Sequence, residues 1–299
     1  MYMVSLVEGG MSVSSKSKSP VSQPQKGGFD PSESDDFVFF DDARPFVRES
    51  ENRMFVNGLA RGMQVLTAFQ KRPGPLGNKD FAEITGMNKA TVCRITHTLT
   101  QLGFLEKNTS RFEIGPRTLS LGYPYLATQR IRDIAYPYLA EIADQGVYTL
   151  GIAAPDSIAM VYILEGSSQK LNSLRLDVGA RVEMARTAMG RAYLGGLGPG
   201  GLKDHYRAFA NHYGSKEWAQ LEPRVSECVS EVHGRGFCFI DREWRDDLRA
   251  IAVPILDRTG NVKLALNCAG PTMAVSEQTL TEDIGPHLVR LAREFTRML

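Results

Sequence analysis

Cysteine is scarce in this 299-residue chain: Cys93, Cys228, Cys238 and Cys268 are the whole complement. No two form C-x-x-C, and none stands beside histidines at zinc-ligand spacing. That argues against a disulfide framework and a structural zinc site, and it fits a reducing cytoplasm. Long apolar runs are missing too. None approaches the ~20 residues that a bilayer-spanning helix needs, so no membrane partner is expected. The N-terminus has no basic segment followed by an apolar stretch, which argues against a secretory signal. No G-x-S-x-G or H-E-x-x-H motif occurs, so hydrolase chemistry has no visible carrier. The net charge is only +1, which excludes a uniformly basic coat protein. Neither a metal nor a cofactor is expected. What remains is ordinary globular material, 42% hydrophobic and 23% charged, long enough for two domains.

The charge is unevenly spread. Residues 1–51 are rich in Ser, Pro, Gly and Asp, and carry five basic against nine acidic residues. Their one apolar knot, Phe37-Val38-Phe39-Phe40, is too small to offset the ordering entropy of such a segment, which reads as a flexible tail. Residues 52–114 reverse the sign, with nine basic against four acidic, and residues 115–299 are neutral. A small basic block on a neutral remainder points to a polyanion-binding module with a separate second function.

The periodicity of the basic block predicts three helices and a hairpin. Leu59, Met63, Leu66 and Phe69 make a helical stripe over Asn52–Phe69, which Pro73-Gly74-Pro75 ends. A short helix over Lys79–Thr85 is followed by Gly86, suited to a tight turn. The third helix runs from Asn88, an N-cap residue, to Leu102, with Gly103 as its stop. Its inner face carries Val92, Ile95, Leu99 and Leu102; its outer face carries Ala90, Cys93 and His97, flanked by Lys89, Arg94 and Gln101. Periodicity alone fits either a solvated helix of a small bundle or a helix-turn-helix whose second helix enters the major groove. The basic charge and the next element favour the groove. Phe104–Glu106 and Arg111–Ile114 form a hairpin, a wing with Lys107 and Arg111 near its tip to meet phosphates.

The runs FVNGLARGMQVLTAF, FAEITGMNKATVCRITHTLTQLGFLEKN and RFEIGPRTLSLGYPYL, over residues 55–126, resemble the winged helix-turn-helix of the isocitrate-lyase-regulator (IclR) family. The resemblance continues over about residues 53–299. It implies an α+β protein: an N-terminal winged helix-turn-helix joined by a helical linker to a GAF-like antiparallel-sheet effector domain. The domains expected are 1–51 (tail), 52–114 (winged helix), 115–132 (helical linker) and 133–299 (effector-binding). Such proteins repress, activate or do both, as homodimers or homotetramers, with RNA polymerase a further partner of an activator. The double-stranded promoter DNA would meet Asn88, Lys89, Ala90, Thr91, Arg94 and His97 on the helix, and Lys107 and Arg111 on the wing.

In the linker, a helix from Arg117 meets Pro124, which kinks or ends it, and a second covers Ile131–Ala143. Beyond it, strands are expected at Val147–Ala153, Ile158–Glu165, Leu171–Leu176, Gly236–Ile240, Leu248–Leu256 and Val262–Cys268, with helices between and after. Gly196-Leu197-Gly198-Pro199-Gly200-Gly201 formally matches G-x-G-x-x-G, but it follows a helical run and contains proline, so it reads as a helix-ending loop. His205 and His212 lie seven apart without further ligands and read as surface histidines.

The segment VGARVEMARTAMGRA, residues 178–192, resembles the family's loop-to-helix segment at the effector pocket. By that match, Ala188 and Met189 present backbone N–H groups to a carboxylate, and Asp241, Ala250, Asn267 and Ala269 line the rest. Ala250 and Ala269 stand where members sensing small keto acids have more polar residues. Arg186 adds a cation, and Ala185 replaces a frequent histidine. Such a pocket suits a larger, partly apolar anion; alternatively, Arg186 pairs with a surface carboxylate and the alanines merely pack. The segment ECVSEVHGRGFCFIDREWRDDLRAIAVPI is similar to the subgroup that controls aromatic-acid catabolism. The expectation is therefore a cytoplasmic, non-enzymatic transcription regulator that senses a small organic acid, an aromatic one by subgroup. The competing class is an enzyme or ligand-binding protein with a basic interaction module, which lacks a catalytic motif.

Overall fold

The basic block of the protein, in this computed structural model, folds as α1 (Asn57–Lys71), β1 (Leu76–Gly77), α2 (Asn78–Thr85), α3 (Lys89–Gln101), β2 (Leu105–Asn108) and β3 (Arg111–Ile114). The structure describes residues 54–168 and 176–298. The expected tail and all but Leu176 of the strand at Leu171–Leu176 lie outside them. β3 pairs antiparallel with both β1 and β2, which makes the wing. Gly86 turns the chain from α2 to α3 at φ +71°, a left-handed conformation open to glycine without strain. Asn88 caps α3, its Oδ1 accepting the Thr91 N–H at 2.8 Å.

Val65, Leu66, Phe81, Val92, Leu99, Leu105 and Phe112 form the core of this unit. Two expectations change. Leu59 and Met63 of the predicted α1 stripe are exposed, while Val65 and Ala68 are buried. The apolar stripe is wider than one core contact, and its first half points away from α2 and α3. On α3, Leu102 is half exposed, and Thr96 takes a core place, its hydroxyl donating to Asn78 Oδ1 at 3.1 Å.

A 3-10 turn at Pro116–Thr118 leads to α4 (Leu119–Thr128) and α5 (Ile131–Asp144). Pro124 sits within α4 without ending it, and no residue of this apolar helix is buried. The remaining elements are β4 (Thr149–Asp156), β5 (Ala159–Ser167), β6 (Arg181–Glu183), α6 (Ala188–Gly195), α7 (Pro199–Arg235, broken at Gly214), β7 (Cys238–Asp241), β8 (Leu248–Leu256), β9 (Val262–Pro271) and α8 (Gly285–Met298), the last preceded by a π-helical turn, Thr279–Ile284. The six strands form one antiparallel sheet in the order β6-β5-β4-β9-β8-β7. The edge strand β6 was not anticipated; three residues are too few to show a period.

Each face of the sheet has its own core. Leu150, Ile152, Leu264 and Leu266 pack with Leu139 of α5 and Phe295 of α8. Met160, Tyr162 and Ala265 pack on the other face with Met189 of α6 and Phe209 and Trp218 of α7. The residues of β9 thus alternate between the two cores, as a strand period of two requires. The glycine-rich run joins α6 to α7, with Pro199 in the first turn of α7. His205 Nδ1 lies 2.9 Å from Gly201 O, and His212 stands edge-on to Tyr213.

Candidate functional sites

The outer face of α3 is exposed at Lys89, Ala90, Cys93, Arg94 and His97, with Thr91 half-buried. Asn88 is exposed, but its carbonyl oxygen is engaged by the cap. Lys107 is exposed on β2. Arg111 is not a free arm of the wing. It is exposed on β3, while its Nη1 donates to Pro75 O at 2.7 Å and lies 3.5 Å from Asp80 Oδ2. The Gly77 N–H and the guanidinium groups of Arg111 and Arg72 hold the Asp80 carboxyl below its ordinary pKa. The intramolecular pair fastens the wing to α2.

A second site lies between the start of α6 and the facing side of the large sheet. Directly opposed residues of antiparallel strands share a face. The register therefore builds rows: Thr149, Ala269, Ala250 and Ile240 in one, and Gly151, Asn267, Ala252 and Cys238 in the next. Most of these side chains are small, so the sheet leaves space under α6. A cavity of about 30 Å³ opens there, lined by the first row with Asn267, Tyr162 and Trp244, and by Thr187, Ala188 and Met189 at the helix start. At roughly 10–15 Å³ per water, this narrow volume takes water but not a ring. An aromatic occupant enters only if lining side chains move.

Thr187 caps α6. Its hydroxyl accepts the Gly190 N–H at 3.2 Å and donates to Glu183 O at 2.6 Å. The N–H groups of Ala188 and Met189 meet no acceptor among the described residues. They are helix-terminal donors of the kind that hold an anion. A Cβ on Gly190 would lie 2.2 Å from Met184 O, so only glycine lets the helix start so close to the preceding loop.

Of the residues expected to form the effector pocket, Ala188, Met189, Ala250, Asn267 and Ala269 are brought together around this cavity. Arg186 and Asp241 are not. Arg186 Nη2 reaches Glu217 Oε1 at 2.5 Å, its Nε lies 3.4 Å from Glu183 Oε1, and its guanidinium covers the Tyr213 ring. The expected pocket cation is a clamp between the loop and α7. Asp241 lies one residue past Ile240 and so faces the other side of the sheet. There it pairs with Arg249 at 3.1 Å, and Arg249 also donates to Val275 O at 3.0 Å.

Tyr162 and Trp244 escaped the sequence reading. They come from a strand and a loop distant in the chain, and no motif marks either. Asn267 Nδ2 donates to Tyr162 Oη at 3.2 Å. Gly151 permits that contact: a Cβ there would lie 2.4 Å from the Tyr162 ring, which crosses β4 to reach Asn267. Burial raises the Tyr162 phenol above its ordinary pKa, so it keeps its proton. Behind the helix start, Arg191 donates to Ala185 O at 2.8 Å and to Glu243 Oε2 at 2.5 Å. Arg224 of α7 takes the other Glu243 oxygen at 2.8 Å. Glu243 is the neighbour of Trp244, so this network ties the cavity's indole to α6 and α7.

The chain matches two family models, one described as IclR helix-turn-helix domain over residues 58–109 and one as bacterial transcriptional regulator IclR C-terminal over residues 123–297. It is 31% identical over 247 residues to the Pca regulon regulatory protein of Pseudomonas putida, covering 82% of this chain and 84% of that one. It is 26% identical over 254 residues to the p-hydroxybenzoate hydroxylase transcriptional activator of Acinetobacter baylyi, covering 82% and 92%. The crystal structure of an IclR family transcriptional regulator from Brucella abortus superposes with a TM-score of 0.73 at 29% identity, covering 85% of this chain and 96% of that one. No helix among the described residues is long and apolar enough to cross a membrane. The basic winged helix, the antiparallel sensing domain and these matches make the chain a member of the IclR family of DNA-binding transcription regulators.

Proposed function

We propose that this regulator's affinity for promoter DNA is set by an aromatic carboxylic acid bound beneath α6. One observation carries the reading: two unpartnered helix-terminal N–H groups stand over a floor of alanines. The donors match a carboxylate, and the floor matches a flat apolar body. A relative named for p-hydroxybenzoate hydroxylase activation supports the aromatic class. Binding widens the cavity and displaces side chains such as Trp244, whose loop is bound to α6 and α7 through Glu243. That movement is the structural change through which effector and DNA are coupled.

On this reading, residues 52–114 bind DNA through Asn88, Lys89, Ala90, Thr91, Arg94, His97 and Lys107, residues 115–132 link, and residues 133–299 sense, with Ala188, Met189, Ala250, Asn267 and Ala269 at the effector. The protein works in the cytoplasm as a dimer or tetramer. α4 supports assembly, because Leu119, Leu121, Tyr123 and Tyr125 stand exposed on it. The test is a mobility-shift titration on the intergenic DNA upstream of its own coding sequence, with and without benzoate-type acids. A retarded complex whose midpoint moves with the acid is the expected result. A complex indifferent to every aromatic acid, with no heat in calorimetric titration, would overturn the effector assignment.

A further inference from the structure

The helix α4 joins the winged helix to the sensing domain and is buried in neither. Leu126, near its far end, packs against the core around Leu139 and Phe295, yet no residue of α4 is buried. A helix without a buried side chain takes its direction from the contacts at its start. There the chain passes closely over the end of α3. The Gly115 N–H donates to Phe104 O at 2.8 Å, and a Cβ on Gly115 would lie 2.6 Å from Gly103 O, so the approach needs glycine. The Thr118 hydroxyl donates to the same Phe104 O at 3.3 Å.

Arg117 closes this joint. The last carbonyls of a helix have no partner within it. In α3, those of Thr98, Leu99 and Thr100 accept the N–H groups of Leu102, Phe104 and Gly103. The carbonyl of Leu102 accepts Arg117 Nη1 at 2.8 Å, and the guanidinium stands 5.6 Å from the centre of the Phe104 ring. A cation is favoured there by the negative end of the helix dipole, and its hydrogen bond is charge-assisted. At the other end of α4, Gln129 leaves the helical backbone, at φ −89° and ψ 78°. The strut is therefore fastened to α3 and broken from α5. We infer that Arg117 is a positioning residue for DNA recognition: through Leu102 O it fixes the tilt of α3 against α4, and so the spacing between the recognition helices of an assembled regulator. The inference rests on the assembly reading, which supplies the second winged helix.

Full-length protein and the intergenic DNA upstream of its coding sequence test it, with one or two base pairs inserted at the centre of the footprint. Each inserted pair turns one half-site by roughly 35°, so wild type should bind the natural spacing at least about tenfold more tightly. Arg117→Ala should weaken binding to the natural site and bring that preference to about threefold or less, with assembly and the log-affinity against log-salt slope unchanged. Thr118→Val, which removes the longer contact and keeps the shape, should move the preference the same way by less, and it covers the case in which the alanine variant unfolds. A spacing preference kept in folded Arg117→Ala would overturn the inference, as would one unmoved by Thr118→Val. A slope flattened by about 0.9 would put Arg117 on a phosphate and overturn it too. Wild type that sediments as a monomer, both free and on DNA, would overturn the assembly reading and this inference with it.

Discussion

Arg191 Nη1 and Glu243 Oε2 meet at 2.5 Å, joining the first turn of α6 to the loop that carries Trp244. Arg191 is 2% exposed, so Glu243 supplies the counter-charge of a buried guanidinium. Glu243→Ala should lower unfolding free energy by about 3–5 kcal/mol in urea titration, the range for breaking a buried pair. The double variant Arg191→Met with Glu243→Ala should recover much of that loss, since the buried guanidinium is then gone and Arg224 keeps Glu231 at 3.1 Å. A double variant as unstable as the single one would show that the pair's packing, not its charge, holds the loop.

Two glycines near the same helix separate by geometry. Gly190→Ala places a Cβ 2.2 Å from Met184 O, a backbone atom that cannot swing away, whereas at Gly198 a Cβ meets nothing within 4 Å. Gly190→Ala should destabilise by at least about 1–3 kcal/mol and abolish effector binding. Gly198→Ala, at the N-cap of α7 where glycine outranks alanine, should cost no more than about 1 kcal/mol and leave effector binding intact. Thermal unfolding of both, with ligand titration, checks the contrast.

Removing Arg186 should change the pH dependence of stability and not effector affinity. Burial raises the Glu183 carboxyl above 4.5, and Arg186 opposes that rise. Without Arg186, the folded pKa of Glu183 climbs further. A carboxyl whose folded pKa is raised loses stability as pH rises from its unfolded value through its folded one. The deficit of Arg186→Ala should therefore be small below pH 4.5 and grow above it, in urea titrations at pH 4 and pH 7. An effector affinity lost at intact fold would return Arg186 to the pocket.

On DNA, Arg94→Ala should lose specific binding with fold and assembly retained, since Arg94 is exposed on the outer face of α3. Lys107→Ala should flatten the log-affinity against log-salt slope by about 0.9 for each phosphate that the lysine neutralises. Arg111→Ala should leave that slope unchanged and lower the stability of the wing, because its guanidinium is bound to Pro75 O and Asp80. A slope flattened by Arg111→Ala would mean that Arg111 leaves Asp80 for a phosphate.

Local chemistry was legible along the chain. The asparagine cap, the left-handed glycine of the turn and the two-period strands act over a few residues, so their positions in the sequence determine them. The family resemblance at 178–192 located the start of α6 for the same reason, since Thr187, Ala188, Met189 and Gly190 make one contiguous motif. What surrounds that start was decided only by folding. Asn267 meets Tyr162 because β4 lies between β5 and β9 with glycine at position 151, and 105 residues separate the two partners. Arg186 and Asp241 were assigned to the pocket by motif position, yet strand parity turns Asp241 to the opposite face. A carboxylate on α7, Glu217, claims Arg186. Charged side chains go where a counter-charge is, and which counter-charge is near depends on how distant segments pack.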